Sequence, residues 1–420
     1  MIYLNVETVF RERSARILKS VGIVCEYNPF HNGHAYQIEI LRQSGFELVV
    51  CAMSGNFSQR GELAIADKYT RAQSAVRCGA DIVVELPFPF SSFSAEGFSH
   101  AGVHILSSLG VDTLSFGSES ADLSLLRKAA DAACSDEFIS AYSKADNSVG
   151  AAKAYFDTLA RFVEGDLSPL SNDILGISYL SAIEDLGVDM DVFPIKREGA
   201  GYSKRTLSDT ENPSATALRG AVKNNESGFF SISSNSMPKE ALAVLQRAQK
   251  DGKAPVFSDG IGKEIISFFS LLTPAEIISR AISRSGGGDF VAEDGCGIVE
   301  RLCNAAKNTR GLNEFLKKAY NSRYTDARIN RVALFALLGV SNRFTKAVPE
   351  YTTLLAASER GRNYLAEIRK SSTFPIITKP ADAPDGCLTE ILRASDALYA
   401  RAMSDDMQTD YFLKKHPFLS

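Results

Sequence analysis

His31 and His34 stand three residues apart in the run His31-Asn32-Gly33-His34, directly after a short apolar stretch, VGIVC (Val21–Cys25), and a turn broken by Asn28 and Pro29. The apolar stretch predicts a buried strand and the residues from His34 onward predict a helix, so both imidazoles fall at a helix N-terminus. Free backbone N–H groups and the helix dipole favour an anion at such a place, phosphate above all. Gly33 removes a side chain where a ligand would approach the backbone. Two imidazoles there can donate to phosphate oxygens on which charge develops during displacement. A polar cap with two surface histidines is the plainer reading, but two of the chain's five histidines fall here, straight after a buried strand. No GxxxxGK[ST] run occurs, and the glycines after the first strand do not space as GxGxxG.

A second constellation is MSGNFSQRGELAIADKYTRAQ, from Met53 to Gln73. Gly55 and Gly61 permit an irregular loop, and Gln59, Arg60, Lys68 and Arg71 bring polar and cationic groups to it. Lys68 is the candidate catalytic cation, placed to neutralise a carboxylate or phosphate. Phe116-Gly117-Ser118-Glu119 is weaker: the glycine lets an adenine or ribose approach, or is merely a turn. Ser171-Asn172-Asp173-Ile174-Leu175-Gly176, Lys196-Arg197 and Ser214-Ala215-Thr216-Ala217-Leu218-Arg219 follow. The hydroxyls of Ser214 and Thr216 at a helix start suit phosphate oxygens, with Arg219 as the neutralising charge; an ordinary N-cap after Pro213 explains the same residues.

The elements that must position these groups alternate as strand and helix. Strands are expected at Val21–Cys25, Glu47–Met53, Asp81–Leu86, Val111–Phe116 and Met190–Arg197. Helices are expected at His34–Gln43, Lys68–Cys78 and Ala95–Leu109, and across an Ala-rich stretch from Asp122 to Glu164. Short, doubly apolar strands separated by helices imply a parallel sheet covered on both faces, with ligands at the carboxyl ends of its strands. After about Ala221 helices dominate and strands become rare, with Ser285–Asp289 (SGGGD) as a flexible joint. The expected division is an extension at 1–20, an α/β domain at 21–225 and a mostly helical domain at 226–420.

The chain is 420 residues long, with a net charge of −4, but the charge is uneven. Residues 301–379 carry fifteen Lys/Arg against five Asp/Glu, so an acidic body holds one basic region, as a protein gripping a polyanion would. A solvated basic helix face gives the same count. Arg323, Tyr324, Arg328, Arg331, Arg343, Arg360, Arg362, Arg369 and Lys370 interleave cations and tyrosine there; Arg323, Arg328, Arg331, Arg369 and Lys370 are the candidates for RNA contact. Seven scattered cysteines, an odd number without CxxC spacing, argue against disulfides and structural zinc. No dedicated metal-ligand cluster is visible. No apolar run reaches the roughly 18 residues of a membrane span, and no signal peptide is apparent, so a cytoplasmic protein is expected.

Taken together, VGIVCEYNPFHNGH, MSGNFSQRGELA, GADIVVELPFPFS, LSFGSE, SNDILGISYL, IKREGAGY, SATALR and FPIITK resemble, in order, the bacterial tRNA(Met) cytidine acetate ligases. These belong to the nucleotidyltransferase superfamily, with its HxGH motif. The likeness runs from about Val21 to the C-terminus. It implies an α/β fold: a Rossmann-like nucleotidyltransferase domain with a parallel sheet, plus a mostly α-helical C-terminal domain. It further implies activation of acetate with ATP to acetyl-adenylate and transfer of the acetyl group to the exocyclic amine of the wobble cytidine of elongator tRNA(Met), with magnesium accompanying ATP. ATP binding carries over to Val21, Gly22, Ile23, Val24, Cys25, Glu26, Tyr27, Asn28, Pro29, Phe30, His31, Asn32, Gly33 and His34, and to Gly117, Asn172 and Arg197; His31 and His34 are the expected catalytic donors. The chain departs from the family's pattern at Ser203-Lys204, where the family often has His-Asp, at Val299-Glu300-Arg301, and in the LLAASERGRNYL run. Other readings of the same residues are an adenylyltransferase or carboxylate-activating ligase acting on a small molecule, or a non-catalytic RNA-binding homologue.

Overall fold

The computed structural model describes residues 18–145, 151–164, 171–197, 214–224, 235–290, 296–321, 324–345, 347–403 and 408–420. Arg323, Ser203-Lys204 and most of the 1–20 extension lie outside the described residues.

Five parallel strands form the centre of one sheet: β1 (Ser20–Cys25), β2 (Leu48–Ser54), β3 (Ile82–Leu86), β4 (Thr113–Ser118) and β5 (Asp191–Lys196), in the order β5-β4-β1-β2-β3. β2 and β3 are buried at every position, which is why their sequences read as unbroken apolar runs rather than as alternation. The helices between them are α1 (Asn32–Gln43), α2 (Lys68–Arg77), α3 (Ala95–Ser108), α4 (Leu123–Cys134), α5 (Asp136–Ser143), α6 (Ala151–Leu159), α7 (Ser171–Asp185) and α8 (Ala215–Asn224). The fourth strand begins two residues later than its sequence suggests, because Val111 N–H is spent on Leu106 O in closing the end of α3.

The C-terminal stretch supplies the helices expected of it, among them Lys239–Lys250, Pro274–Arg284, Asp326–Leu338, Glu359–Ile368 and Cys387–Met403. It also returns to the sheet. β6 (Thr352–Ala357) pairs antiparallel with β3, while β7 (Ile376–Ile377) and β8 (Phe418–Leu419) pair parallel with β6. The sheet is therefore mixed rather than wholly parallel, and it crosses the boundary expected at 225/226. The strand was hidden because TTLLAA is too short to declare a period, although all six of its residues are buried.

The SGGGD segment is not a loose joint. Gly286, Gly287 and Gly288 adopt φ of +73°, +122° and +84°, open to glycine alone at little cost. The turn they make is tied down: buried Ser285 donates through Oγ to Gly339 O at 2.8 Å and accepts Ser341 N–H at 2.8 Å. Glycine here encodes a specific backbone shape, which composition cannot tell from flexibility.

Candidate active site

The chain leaves β1 at Glu26 and turns through Tyr27, whose φ of +46° is unusual for a residue with a side chain. Packing holds it there: the Tyr27 ring lies edge-on to Phe30 (centroids 4.9 Å apart) and against His34 (4.8 Å), and its hydroxyl is 3.5 Å from Cys51 Sγ. His31 then caps α1 in a reciprocal arrangement. Its Nδ1 accepts the Gly33 N–H at 3.1 Å, and His34 Nδ1 accepts the His31 N–H at 3.2 Å. The two rings stack at 3.7 Å between centroids, 20° from parallel. A Cβ at Gly33 would stand 3.0 Å from His31 Cε1, so the ring's position depends on that glycine.

This geometry fixes the chemistry of both rings. A backbone N–H can only donate, so each Nδ1 carries a lone pair and, in a neutral ring, the proton sits on Nε2. Burial first, and the charge of Arg197 after it, lowers the His31 pKa to about 4. Burial, then His31, then Arg197 hold His34 well below its ordinary value. Two neutral rings can stack at this distance where two cations would repel, and each presents one Nε2–H donor.

The backbone contributes less than the helix N-terminus suggested. Asn32 N–H is bound to Ser236 O at 2.9 Å, Gly33 N–H to His31 Nδ1, and His34 N–H to His31 O at 2.9 Å. The first turn is satisfied internally, so the imidazoles, rather than free amides, are its outward donors.

Around this crest the structure gathers most of the residues singled out by sequence. Arg197 follows β5 with its side chain across Gly117 of β4, its N–H on Ser118 O at 2.9 Å and its charge felt by both histidines. Asn172 lies in the first turn of α7, beside the end of β4. Ser214 caps α8 by accepting the Ala217 N–H at 3.2 Å. Arg219 reaches the turn itself, donating to Asn28 O at 2.8 Å, with Thr216 Oγ1 at 3.3 Å and Glu62 at 3.6 Å. It braces the turn rather than standing free. Asn28 is also fixed through Oδ1, which accepts the Ile65 N–H. Val21, Gly22 and Ile23 are interior to β1, and Val24 and Cys25 lead up to the turn; Glu26 and the run His31-Asn32-Gly33-His34 retain accessible surface at the crest. Pro29 and Phe30 are buried beneath them.

Lys68 is not at that crest. It is fully buried and held between Glu85 (2.7 and 2.9 Å) and Asp396 (2.8 and 3.1 Å), the latter on the helix Cys387–Met403. Burial opposes its charge, but Asp396 and then Glu85 outweigh this and raise its pKa above the ordinary value. Burial pushes Asp396 up to about 6 against the pull of Lys68. Asn56, in the loop after β2, joins the cluster by donating to Asp396 at 2.9 Å and accepting the Lys68 N–H at 2.9 Å. Arg71 is likewise consumed, bonding four main-chain carbonyls: Ala66 and Ser54 at 2.9 and 3.0 Å, with Glu26 and Gly55. Glu85 stands at a strand end that the sequence places at the ligand side of the sheet, but its pairing with Lys68, and Asp396 altogether, were missed. The one available signal was a carboxylate on the otherwise apolar Leu392–Asp396–Tyr399 face of its helix.

The basic candidates fall at two places. Arg331, on the helix Asp326–Leu338, donates to Gln59 O at 3.4 Å and so sits against the loop after β2. Burial, and then the charge of Arg328 one turn earlier, push it down to about 10. Arg328 lies over the Tyr324 ring at 5.6 Å. Arg369 and Lys370 follow the helix Glu359–Ile368, which packs at the opposite, amino end of the strands. Ser358 holds Asp81 before β3, Arg360 donates to Glu47 O before β2, and Tyr364 donates to Leu109 O and Gly110 O before β4. Lys370 is paired with Glu367 at 3.0 Å.

Comparison with known proteins gives this arrangement a family. The HIGH Nucleotidyl Transferase model matches residues 18–412. A tRNA(Met) cytidine acetate ligase of Caldanaerobacter subterraneus subsp. tengcongensis is 36% identical over 376 residues, 87% of this chain and 89% of the relative. One from Thermosipho africanus is 32% identical over 395 residues, 90% of this chain and 89% of the relative. Two crystal structures of Thermotoga maritima TmcAL, both 28% identical and covering 96% of this chain, superpose with TM-scores of 0.82 (apo; 99% of that chain) and 0.81 (bound with alpha-thio ATP; 100% of that chain).

Proposed function

Because the chain belongs to the HIGH nucleotidyl transferase family and, within it, to the tRNA(Met) cytidine acetate ligases, we propose that it acetylates the wobble cytidine of elongator tRNA(Met) at the expense of ATP and acetate. The observation that carries the chemistry is the stacked pair His31–His34, two neutral Nε2–H donors fixed at the end of β1. An acetate oxygen attacks the α-phosphorus of ATP, the bond to the β-phosphate breaks, and pyrophosphate leaves. The imidazole donors meet the charge that grows on the phosphate oxygens, and they need no reorganisation to do so. The N4 amine of cytidine then attacks the acetyl carbon, AMP leaves with the anhydride oxygen, and N4 loses a proton. Arg197, beside both histidines, adds positive charge at the nucleotide, while Arg219 holds the turn in register through Asn28 O. Magnesium enters as part of the substrate, on the phosphates of ATP.

For the RNA, Arg328 and Arg331 are the better placed cations, since their helix abuts the loop that follows β2 at the carboxyl end of the sheet, the side on which His31 and His34 also lie. A cytidine swung out of an anticodon loop would reach that end first.

The test is incubation with ATP, labelled acetate and unmodified elongator tRNA(Met), followed by mass spectrometry of the tRNA nucleosides. Acetylcytidine dependent on both small substrates is expected. Adenylate without acetylated tRNA would reassign the acceptor, and neither product would overturn the reading.

A further inference from the structure

One contact beside the nucleotide site has a direction set by chemistry. Asn172 Nδ2 donates to Glu119 Oε1 at 2.5 Å, and Glu119 Oε2 accepts the Asp173 N–H at 3.0 Å. The Asp173 carboxylate in turn accepts the N–H groups of Glu119 and Ser120 at 3.0 and 3.1 Å, and the Ser118 hydroxyl. Loop and helix thus clasp each other from both sides, and Glu119 cannot turn away without breaking two bonds. A carboxamide has a donor end and an acceptor end of nearly equal shape, and in solution offers either. An ionised carboxylate only accepts, so Glu119 must take the amino end of Asn172 and leave Oδ1 for a ligand.

We propose that Glu119 is a positioning residue that orients Asn172 so that Oδ1 accepts a hydrogen bond from the nucleotide, and thereby sets the preference for ATP over triphosphates lacking that donor. The donors ATP can offer are the 6-amino group of adenine and the ribose hydroxyls. Inosine triphosphate would set a 6-oxo acceptor against Oδ1, and a deoxynucleotide would leave Oδ1 without a partner; either mismatch is costly in a desolvated site. Asn172 bonds Glu119, two residues beyond Gly117, and it is across Gly117 that Arg197, whose charge reaches both histidines, lays its side chain. The inference rests on Asn172 belonging to the nucleotide site; it adds the direction of the amide and the residue that fixes it.

The test compares the full-length protein with Glu119→Gln, Glu119→Ala and Asn172→Ala. KM and kcat are measured for ATP, inosine triphosphate, 2′-deoxyATP and 3′-deoxyATP in acetate-dependent pyrophosphate release, alongside thermal melts. The wild type is expected to disfavour at least one analogue by about tenfold or more in kcat/KM, and Glu119→Gln to lose most of that selectivity through KM while kcat stays within a few-fold. The analogue affected identifies the donor: base for inosine triphosphate, sugar for a deoxynucleotide. Glu119→Gln retains an acceptor for the Asp173 N–H, so it decides the matter if Glu119→Ala does not fold. A wild type that does not discriminate, or a folded Glu119→Gln with wild-type selectivity while Asn172→Ala loses it, overturns the inference alone. Unchanged ATP kinetics in Asn172→Ala would instead remove Asn172 from the nucleotide site.

Discussion

The crest at His31–His34 and the buried cluster at Lys68 use polar groups in opposite ways. At the crest, two rings are kept neutral by burial, each pinned through Nδ1 by a backbone N–H within three residues. At Lys68, three full charges are sealed in the core, drawn from a helix start, the end of β3 and a helix 328 residues away. A site meant to meet an incoming anion keeps unspent donors. A cluster that fastens distant parts of the chain spends every charge on another. Cationic residues in a catalytic-looking loop are therefore no guide to catalysis until their partners are known.

The largest break in that comparison is His34→Ala, expected to lower adenylate formation by about a hundredfold or more while leaving tRNA affinity near wild type. Single-turnover pyrophosphate release with parallel tRNA binding checks this. Lys68→Met should do the reverse. It leaves Glu85 and Asp396 buried without their cation, costing about 3–5 kcal/mol in urea unfolding, with the KM for ATP unchanged in whatever protein folds. Wild-type stability in Lys68→Met would mean that the cluster is not a fastening.

How far each region could be read from the sequence follows the same divide. The HxGH turn was legible because its strand, cap, glycine and donors lie within fourteen consecutive residues. Even there the pairing of both Nδ1 atoms, and with it the closure of the backbone amides, depends on ring positions that no spacing rule encodes. Lys68 read as a catalytic cation because its loop follows β2, but Asp396 is invisible from there. β6 was missed for a related reason: Thr352–Ala357 joins the sheet by pairing with β3, some 270 residues earlier. The SGGGD turn shows the limit from the other side, since its glycines mark positive φ and only Ser285 and Ser341 reveal that the turn is held.

The two basic patches extend the contrast to the RNA. Arg328→Gln with Arg331→Gln is expected to weaken tRNA binding by about tenfold and to reduce the slope of log affinity against log salt by about one for each phosphate left without its cation. Arg369→Gln with Lys370→Gln, at the amino end of the strands, should change affinity by no more than about twofold. Filter binding across a salt series separates the two, and equal reductions would place RNA at both ends of the strands.

The smallest effect is in stability against pH. His31 takes up a proton near pH 4 when folded and near its ordinary 6.5 when unfolded, so between these values the unfolded chain holds more protons. Stability should therefore fall as pH drops from about 6.5 towards 4, and the fall should be shallower in His31→Ala, read from melting temperatures. An identical slope in the two proteins would separate His31 from the acid response.

The most direct test of the central claim is the protonation state of the two rings. Only five histidines occur, so two-bond nitrogen–proton correlation spectra of histidine-labelled protein at pH 7 can be assigned by single substitutions. Both His31 and His34 are predicted to be neutral, with Nδ1 unprotonated and the proton on Nε2. A proton on Nδ1 of either ring, or an imidazolium at that pH in the absence of nucleotide, would contradict the paired-donor account.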